Sequence, residues 1–446
     1  MHTALRRTLR GIRALCLGLL ALIVAGASEL GAGALPDPFP APTLQMRTNL
    51  VDGFNVPAGA SANSATPAIA TGGQVAVKLV IAPGEPGQGV WAGPGDGTGA
   101  IVHGAPVDAV ISDVTINPSG AIVFAQIFSA ANGLYRYDPL TGVTAILTTQ
   151  PLGASSWSSP QLDARGVVGY RASFPGNNLW LSVDDGTTAI HAVEVGLDPM
   201  SPFSFLFTPR LVPRAAGARG GAGAAVEIVG KARYGAAGMV GESQPDRIVR
   251  VDDAGIVTVL AEDQDADPLA PFTRFDNGVA AASDGRIAFV AQRPDGARAV
   301  VRLDPDAPGV FVTIADDQQM PVGAIDFFTP AVSAQGQVAF RGVDDQGLDA
   351  LFIGDGTTLV RVIGEHDLIE TDLGTARLDQ NVPGDPIFGG GVALSDDGTI
   401  AFKAALTPPD NDQIEWGTGL FTVNGSVIFA DDFESGTLDA WLPINP

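Results

Sequence analysis

The chain has 446 residues, of which 46% are hydrophobic and 17% charged, and its formal net charge is −24. This acid excess argues against nucleic acid as a partner, because a phosphate backbone is bound by a positive surface. The single cysteine, Cys16, excludes a fold that depends on disulfide bonds.

The first 27 residues have the order of features that is typical of a secretory signal peptide. Four arginines precede an apolar run at 14–25, which is shorter than the ~20 residues needed to span a bilayer, and small residues follow it. A retained membrane anchor is the alternative. We expect an exported protein, in the extracellular space, at the cell surface or in the periplasm, with no membrane span after cleavage and a linker at 28–45. The mature chain would keep 21 basic and 49 acidic residues.

A short phrase, PAVSAQGQVAF at 330–340, returns along the rest of the chain. Near copies are VTINPSGAIVF, PQLDARGVVGY and VALSDDGTIAF, each with a turn-forming residue three positions before a glycine. Glycine accepts positive φ without a Cβ clash, and apolar residues alternate with polar ones on both sides, so the phrase predicts two half-buried strands joined by a turn. The aligned glycines are Gly73, Gly120, Gly166, Gly285, Gly336 and Gly398.

The spacing of these glycines predicts one more, degenerate copy between Gly166 and Gly285. These two glycines are 119 residues apart, whereas the other gaps are 46 to 62 residues. We expect the missing copy at 208–232, where an insertion rich in glycine, alanine and arginine blurs the pattern. A second phrase, in which a turn such as DDG or GDG joins two apolar runs, occurs seven times. Seven repeats are therefore expected.

Two hairpins per repeat make four antiparallel strands, which is typical of a β-propeller blade. We predict an all-β fold, a β-propeller of seven four-stranded blades over 46–432, with six or eight blades as alternatives. The segment MRTNLVDG at 46–53 resembles the end of a repeat and is expected to pair with the last blade and close the ring. Large side chains that end the first phrase are expected to pack between blades: Phe124, Tyr170, Phe289, Phe340 and Phe402.

The first phrase resembles the bacterial secreted tandem-repeat family whose repeat reads Asn-x-x-Gly-x-x-Ala-Phe. Ser333, Gly336, Ala339 and Phe340 match this pattern with serine in place of asparagine, and the copy at 395–402 matches in the same way. The resemblance covers nearly the whole chain after the signal peptide. It implies export and a propeller-like repeat fold, and it implies no particular activity because the family is uncharacterised.

The C-terminal residues 433–446 are interpreted as a separate tail. With the residues just before them, they resemble the Phe-x-Asp-x-Phe-Glu-x-Gly endings of other exported bacterial proteins. The tail has no apolar membrane segment, so a sorting or anchoring tag there would have to be read by a receptor. A frayed end or the stub of a longer module is the alternative.

Few residues of the repeats point to chemistry. Three histidines, His103, His191 and His366, fall near the ends of three different repeats, where surface or strand-end positions are expected, and no cluster typical of a transition-metal site is present. No nucleophile motif occurs, so no catalytic residue is nominated. Ca²⁺ is the one cofactor considered, because two loops carry carboxylates that could bind it. The first loop lacks the glycine and the glutamate of an EF-hand. The candidate ligands are Asp263, Asp265, Asp267, Glu365 and Asp367.

Three functions are compatible with this sequence. The first is a noncatalytic, monomeric propeller whose unequal loops bind an extracellular ligand, such as a glycan, a peptide or a surface component. The second is a propeller hydrolase or lyase with an acidic, calcium-assisted site in the central funnel. The third is a structural or adhesive cell-surface protein attached through its tail. We expect the first.

Overall fold

The computed structural model describes residues 35–425 except 37–38, 63–64, 82–86, 129–131, 149–152, 214–225, 238–243, 306, 308 and 383. These residues belong to one compact unit, Leu35–Ser426. The expected signal peptide, half of the linker and the C-terminal tail lie outside the described residues. Across the described ranges, no helix is long and apolar enough to cross a membrane.

The described residues form seven antiparallel sheets in chain order. The prediction of an all-β, seven-bladed β-propeller is confirmed. The strands of the first three blades are, for blade 1, β2 (Ala68–Ile69), β3 (Val75–Val80), β4 (Gln88–Gly93) and β5 (Ala100–Gly104); for blade 2, β6 (Val110–Ile116), β7 (Ile122–Ile127), β8 (Gly133–Asp138) and β9 (Gly142–Leu147); and for blade 3, β10 (Ser156–Leu162), β11 (Val168–Phe174), β12 (Asn177–Asp184) and β13 (Thr187–Val193).

The remaining four blades have the same order, with the first strand divided in blades 4, 6 and 7, and blade 7 has one additional short strand that pairs with part of its first strand. Their strands are, for blade 4, β14 (Phe203–Leu206), β15 (Arg210–Pro213), β16 (Val226–Tyr234), β17 (Asp246–Asp252) and β18 (Val257–Glu262); for blade 5, β19 (Arg274–Ala281), β20 (Ile287–Gln292), β21 (Arg298–Leu303) and β22 (Phe311–Asp316); for blade 6, β23 (Val322–Ile325), β24 (Ala331–Val332), β25 (Val338–Asp344), β26 (Asp349–Gly354) and β27 (Leu359–Gly364); and for blade 7, β28 (Leu368–Thr371), β29 (Gly374–Leu378), β30 (Ala393–Leu394), β31 (Thr399–Thr407), β32 (Gly417–Asn424) and β1 (Thr43–Thr48).

The chain order gives the propeller two different faces. In each blade we name the strands A to D from the central channel outward. The turns that join A to B and C to D lie on one face, which we call the turn face. The B–C connections and the longer connections from each blade to the next lie on the other, which we call the loop face. The loop face includes residues 49–62, 65–67, 105–109, 194–202, 263–273, 317–321, 365–382 and 384–392.

The first strand of the chain closes the ring. Strand β1 pairs antiparallel with β32 and so becomes the outermost strand of blade 7. Its residues Met46 and Arg47 are fully buried. The sequence predicted this pairing for 46–53, but the strand covers Thr43–Thr48 and therefore begins inside the expected linker. Closure by a distant strand covers the edge that β32 would otherwise present as the last strand of the chain.

The recurring first phrase forms the A–B turn of the blades. All six aligned glycines have positive φ, between 78° and 99°. The polar residue three positions earlier holds the turn, as at Asn117, whose Oδ1 accepts hydrogen bonds from the backbone N–H groups of Ser119 and Ala121, each at 3.1 Å. Neighbouring turns are also bonded to each other, since Asn117 donates to the carbonyl of Asp163 at 3.1 Å. This bond connects the turn of blade 2 to the turn of blade 3.

Seven hydrophobic clusters, one at each blade interface of the described structure, form the core. The aromatic residue that ends the first phrase packs against the preceding blade. Phe340, for example, stacks on Phe352 of its own blade at 5.4 Å and packs against side chains of blade 5. The residues with this role are 0 to 1% exposed: Phe124, Tyr170, Phe289, Phe340 and Phe402.

Candidate functional site

A basic side chain directly follows the interface residue in five of the seven blades. The paired registers of strands B and C place these residues at equivalent positions. In three of them the cation donates to a backbone carbonyl of the next blade around the ring: Lys231 to Phe275 at 3.0 Å, Arg341 to Phe388 at 2.9 Å, and Lys403 to Ala62 at 2.7 Å. The five residues are Lys78, Arg171, Lys231, Arg341 and Lys403.

These cations hold the irregular parts of the inner strands. Strand A is interrupted by a bulge in several blades, for example between Phe275 and Val279 in blade 5. A bulge leaves carbonyl groups without a partner in the sheet, and a buried ammonium or guanidinium group satisfies them. Burial lowers the pKa of Lys231 and of Arg341, and it lowers the pKa of Lys403 to about 7.

A cleft of about 460 Å³ opens on the loop face beside one of these cations. We call it the loop-face cleft. Blades 4, 5 and 6 supply its walls. Strand B of blade 4 ends at the cleft and strand C of blade 4 begins there. The bulges in strand A of blades 5 and 6 lie next to them. It is lined by Thr208, Lys231, Arg233, Asp246, Arg274, Phe275, Asp276, Asn277, Gly278, Phe327 and Thr329.

One wall of the cleft is a buried ion-pair network in blade 4. The carboxylate of Asp246 is shared by Lys231, at 2.9 Å, and by Arg233, whose Nε lies at 2.6 Å. Both cations also lie over the ring of Phe207, at 4.3 and 5.5 Å from its centroid. Lys231 donates its third bond to Asn277 Oδ1 at 3.1 Å. Two cations therefore share one acid at this wall.

The opposite wall is more exposed. Arg274, the first residue of strand A in blade 5, is exposed, and its side chain makes no hydrogen bond or ion pair within the described part of the chain. Asp276 pairs with Arg298 at 2.5 Å. The guanidinium of Arg298 also lies 4.6 Å from the ring centroid of Phe327, which is 83% exposed. The cleft lining therefore includes an unpaired cation and an exposed aromatic ring.

The charge of the cleft is opposite to that of the whole protein. Three cations and two acids line it, and Arg298 adds a further cation at its edge. The chain as a whole carries −24. A positive site with low-dielectric walls attracts anions selectively, even on an acidic protein.

The central channel opens differently at the turn face. The inner strands of all seven blades line a cavity of about 210 Å³ there. Its two carboxylates, Asp163 and Asp396, are used in the fold. Asp163 Oδ1 accepts the N–H groups of Arg165 and Val167, each at 2.9 Å, and Asp396 accepts the N–H of Ala334 at 3.1 Å. This mouth therefore does not hold the acidic cluster that the hydrolase or lyase hypothesis requires.

The three histidines lie in different environments. His103 is partly buried in strand D of blade 1, with its Nε2 3.2 Å from Gln126 Oε1. His191 lies near the end of the last strand of blade 3, one of the two positions expected, but it is buried, and its ring contacts the Ser182 hydroxyl at 2.9 Å and the Val251 carbonyl at 3.2 Å. His366 is half-exposed and lies 3.7 Å from Asp379 and 3.8 Å from Glu365. The first two contribute to packing between strands.

The residues proposed for Ca²⁺ are only partly brought together. Asp263 is buried, its two oxygens accept the N–H groups of Asp246 and Ala266, and burial raises its pKa to about 6. Asp267 accepts the N–H of Leu269 at 3.0 Å, and Asp265 is exposed. These three acids are not gathered into one ligand group. Calcium binding remains a prediction.

The second proposed group is divided as well. Asp367 pairs with Arg361 at 2.7 Å, whereas Glu365 lies with His366 and Asp379, whose ligand atoms are all within 4.8 Å of one another. Across the residues that the structure describes, this is the one group of three or more such side chains close enough to hold a metal ion. An imidazole nitrogen suits Zn²⁺ better than Ca²⁺, and Arg377 already pairs with Asp379.

The sequence contained one signal for the loop-face cleft that was not used. The residue after the interface position is basic in VAVK, GYR, AFR and AFK, and this recurrence marks a cation that is repeated around the ring. Among the remaining cleft residues, Thr208 and Thr329 occupy the same Phe-Thr-Pro string in two repeats, at 207–209 and 328–330, whereas the residues of TRFDNG have no such counterpart. The cleft residues come together because strand A bulges at equivalent positions along its length in blades 4, 5 and 6.

No family model matches the chain, and no curated protein matches it. Solved propeller structures are similar to it over much of its length. A catalytically inactive variant of virginiamycin B lyase from Staphylococcus aureus with quinupristin shares 13% identity over 81% of this chain and 96% of its own, with a TM-score of 0.44. Puromycin hydrolase shares 15% over 77% and 51%, with a TM-score of 0.49, and a chain of the mitotic checkpoint complex shares 12% over 89% and 97%, with a TM-score of 0.42. These similarities concern the fold alone.

Proposed function

We propose that this protein is an exported, noncatalytic β-propeller that binds an extracellular ligand on its loop face. The observation that carries the proposal is the loop-face cleft, which combines a volume of about 460 Å³, an unpaired arginine and an exposed aromatic ring. Binding sites for small ligands are typically clefts of roughly 300 to 1,000 Å³ with a few polar groups that converge on the ligand. The cleft has both properties.

The distribution of exposed apolar side chains supports the choice of face. Leu50, Met200, Leu269 and Phe327 are 83 to 91% exposed, and all four lie on the loop face or at its central opening. Leu140, at 94%, is the corresponding case on the turn face. The most exposed apolar side chains of the described structure therefore lie mainly on the loop-face side.

The carboxylates of the described structure favour binding over catalysis. Three of them already have partners within the fold. Asp163 and Asp263 accept backbone hydrogen bonds, and Asp246 forms an ion pair with Lys231. The acidic hydrolase or lyase site that is the alternative would need carboxylates that can exchange protons with a substrate. A loop-face ligand is therefore expected to be bound and released unchanged.

The face of binding is tested with two matched variants. Leu269 lies on the loop next to Arg274, and Leu140 lies on the turn face, and both are more than 90% exposed. The mature chain, 28–446, is applied to arrays of glycans and peptides as the parent protein, as Leu269→Glu and as Leu140→Glu. Binding that is lost only in Leu269→Glu supports the proposal. Binding that is lost only in Leu140→Glu overturns the choice of face.

The other two parts of the proposal have their own tests. The array ligand is incubated with the protein and recovered, and its mass is expected to be unchanged, since a cleaved product would show catalysis. Full-length protein and a variant without 1–27 are expressed side by side, and only the full-length protein is expected outside the cytoplasm. Removal of 433–446 tests the adhesive alternative, which requires that protein moves from the cell-bound to the medium fraction.

A further inference from the structure

We propose that the loop-face cleft recognises a carboxylate-bearing sugar, such as a hexuronate unit of an acidic glycan. This inference rests on the proposed function and names the class of ligand that the same site takes. It is drawn from the charges, the exposed ring and the polar lining of the cleft.

The charges of the cleft point to an anion. Asp246 is already shared between Lys231 and Arg233, so this wall keeps a positive surplus. Arg274 is exposed and unpaired within the described residues, and its guanidinium has the planar donor geometry that binds a carboxylate through two parallel hydrogen bonds. A carboxylate at Arg274 would supply the partner that the fold itself does not provide.

The exposed ring points to a sugar. Phe327 is 83% exposed, and Arg298 lies over its ring at 4.6 Å. Because most of the ring surface is open, it offers an apolar platform for the C–H face of a pyranose.

The remaining lining favours a sugar over a peptide. Thr208, Asn277 and Thr329 present hydroxyl and amide groups, which can pair with sugar hydroxyls. Phe275 is only 4% exposed, so the lining offers no apolar pocket for a peptide side chain. The volume of about 460 Å³ accommodates a short oligosaccharide. An acidic peptide is therefore the less suitable ligand.

The test is calorimetric titration of the mature chain with a mannuronate trisaccharide and, as the neutral control, a mannose trisaccharide. We expect the uronate to bind at least 10-fold more tightly than the neutral sugar, and the binding to weaken between about 50 and 500 mM NaCl because the contact is ionic. Arg274→Ala and Phe327→Ala are each expected to weaken uronate binding at least 10-fold. Arg165→Ala, on the turn face, is expected to leave it unchanged.

Several results would overturn the inference. The first is equal binding of both trisaccharides. The second is uronate binding that neither Arg274→Ala nor Phe327→Ala weakens. The third is the absence of uronate binding, whether or not an aspartate-rich heptapeptide binds instead. Both substituted side chains are exposed, so unchanged denaturation midpoints are expected to show that the variants are folded. If array ligands still depend on Leu269 while the uronate does not bind, the ligand class is wrong and the proposed function stands. If no ligand binds through the loop face, both fail.

Discussion

Two aspartates pair with the same buried arginine, and we expect their removal to have very different effects on ring closure. Arg47 lies in the closing strand β1 and is 1% exposed. Asp372, in the β28–β29 hairpin, binds it through two hydrogen bonds of 2.9 Å each, while Asp52 binds it at 3.1 and 3.4 Å. The Asp372 side chain is 17% exposed and that of Asp52 is 52% exposed. The hydrogen bond with Asp372 is the largest cause of the raised pKa of Arg47.

The magnitudes follow from this difference in exposure. Asp372→Ala would leave a buried guanidinium without its main partner, and removing one member of a buried pair costs about 3 to 5 kcal/mol. Partial exposure places the expected loss at the lower end, about 3 kcal/mol. Asp52→Ala breaks a contact that solvent already screens, so the expected loss is below about 1 kcal/mol.

The assay is equilibrium unfolding in urea, followed by the fluorescence of the five tryptophans. Asp372→Ala is expected to lower the free energy of unfolding by about 3 kcal/mol relative to the parent, and Asp52→Ala serves as the matched control. A loss in Asp52→Ala that equals or exceeds the loss in Asp372→Ala would refute the reasoning. So would an unchanged midpoint in both variants, because the closing strand would then not depend on this ion pair.

Three further predictions concern the blades. Phe340→Ala removes a side chain that is 1% exposed and should cost about 3 to 5 kcal/mol in urea unfolding, and a loss below about 1 kcal/mol would contradict its role between blades. Gly336→Ala places a Cβ 2.9 Å from an Arg302 nitrogen at a φ of 81°. The free energy of unfolding in urea is expected to fall by about 1 to 2 kcal/mol. Unchanged stability would show that the turn tolerates a side chain. Burial lowers the pKa of Lys403 to about 7, well below its value in the unfolded chain. Above pH 7 the unfolded state therefore binds more protons than the folded state, and the free energy of unfolding should rise with pH. Between pH 7 and 9 the parent should gain roughly 2 kcal/mol more than Lys403→Met, and equal gains would refute the assignment.

The repeated parts of the fold could be predicted because their physics is local. A glycine such as Gly336 with a serine three positions earlier specifies a turn, and a large residue four positions later specifies which side is buried. The number of blades followed from counting these phrases, and the closing strand followed from the likeness of 46–53 to the end of a repeat. Each of these inferences requires only a short stretch of sequence.

The loop-face cleft could not be predicted in the same way. Lys231, Arg274 and Phe327 are far apart in sequence, and only Lys231 occupies a position that recurs in other repeats. They meet because the inner strands of blades 4, 5 and 6 are irregular at the same level, which depends on the packing of whole blades. The burial of His191 could not be predicted either, because its ring contacts the Val251 carbonyl of the next blade, which is distant in sequence.

The most direct measurement of the central claim is oxidative footprinting with hydroxyl radicals, read by mass spectrometry, with and without the array-selected ligand. Met320 and Phe327, which are 73% and 83% exposed, report on the loop face, and Leu140, at 94%, reports on the turn face. Ligand is predicted to protect Phe327 most strongly and to leave the oxidation of Leu140 unchanged. Protection of Leu140 without protection of Phe327 would contradict the assignment of the loop face as the binding surface.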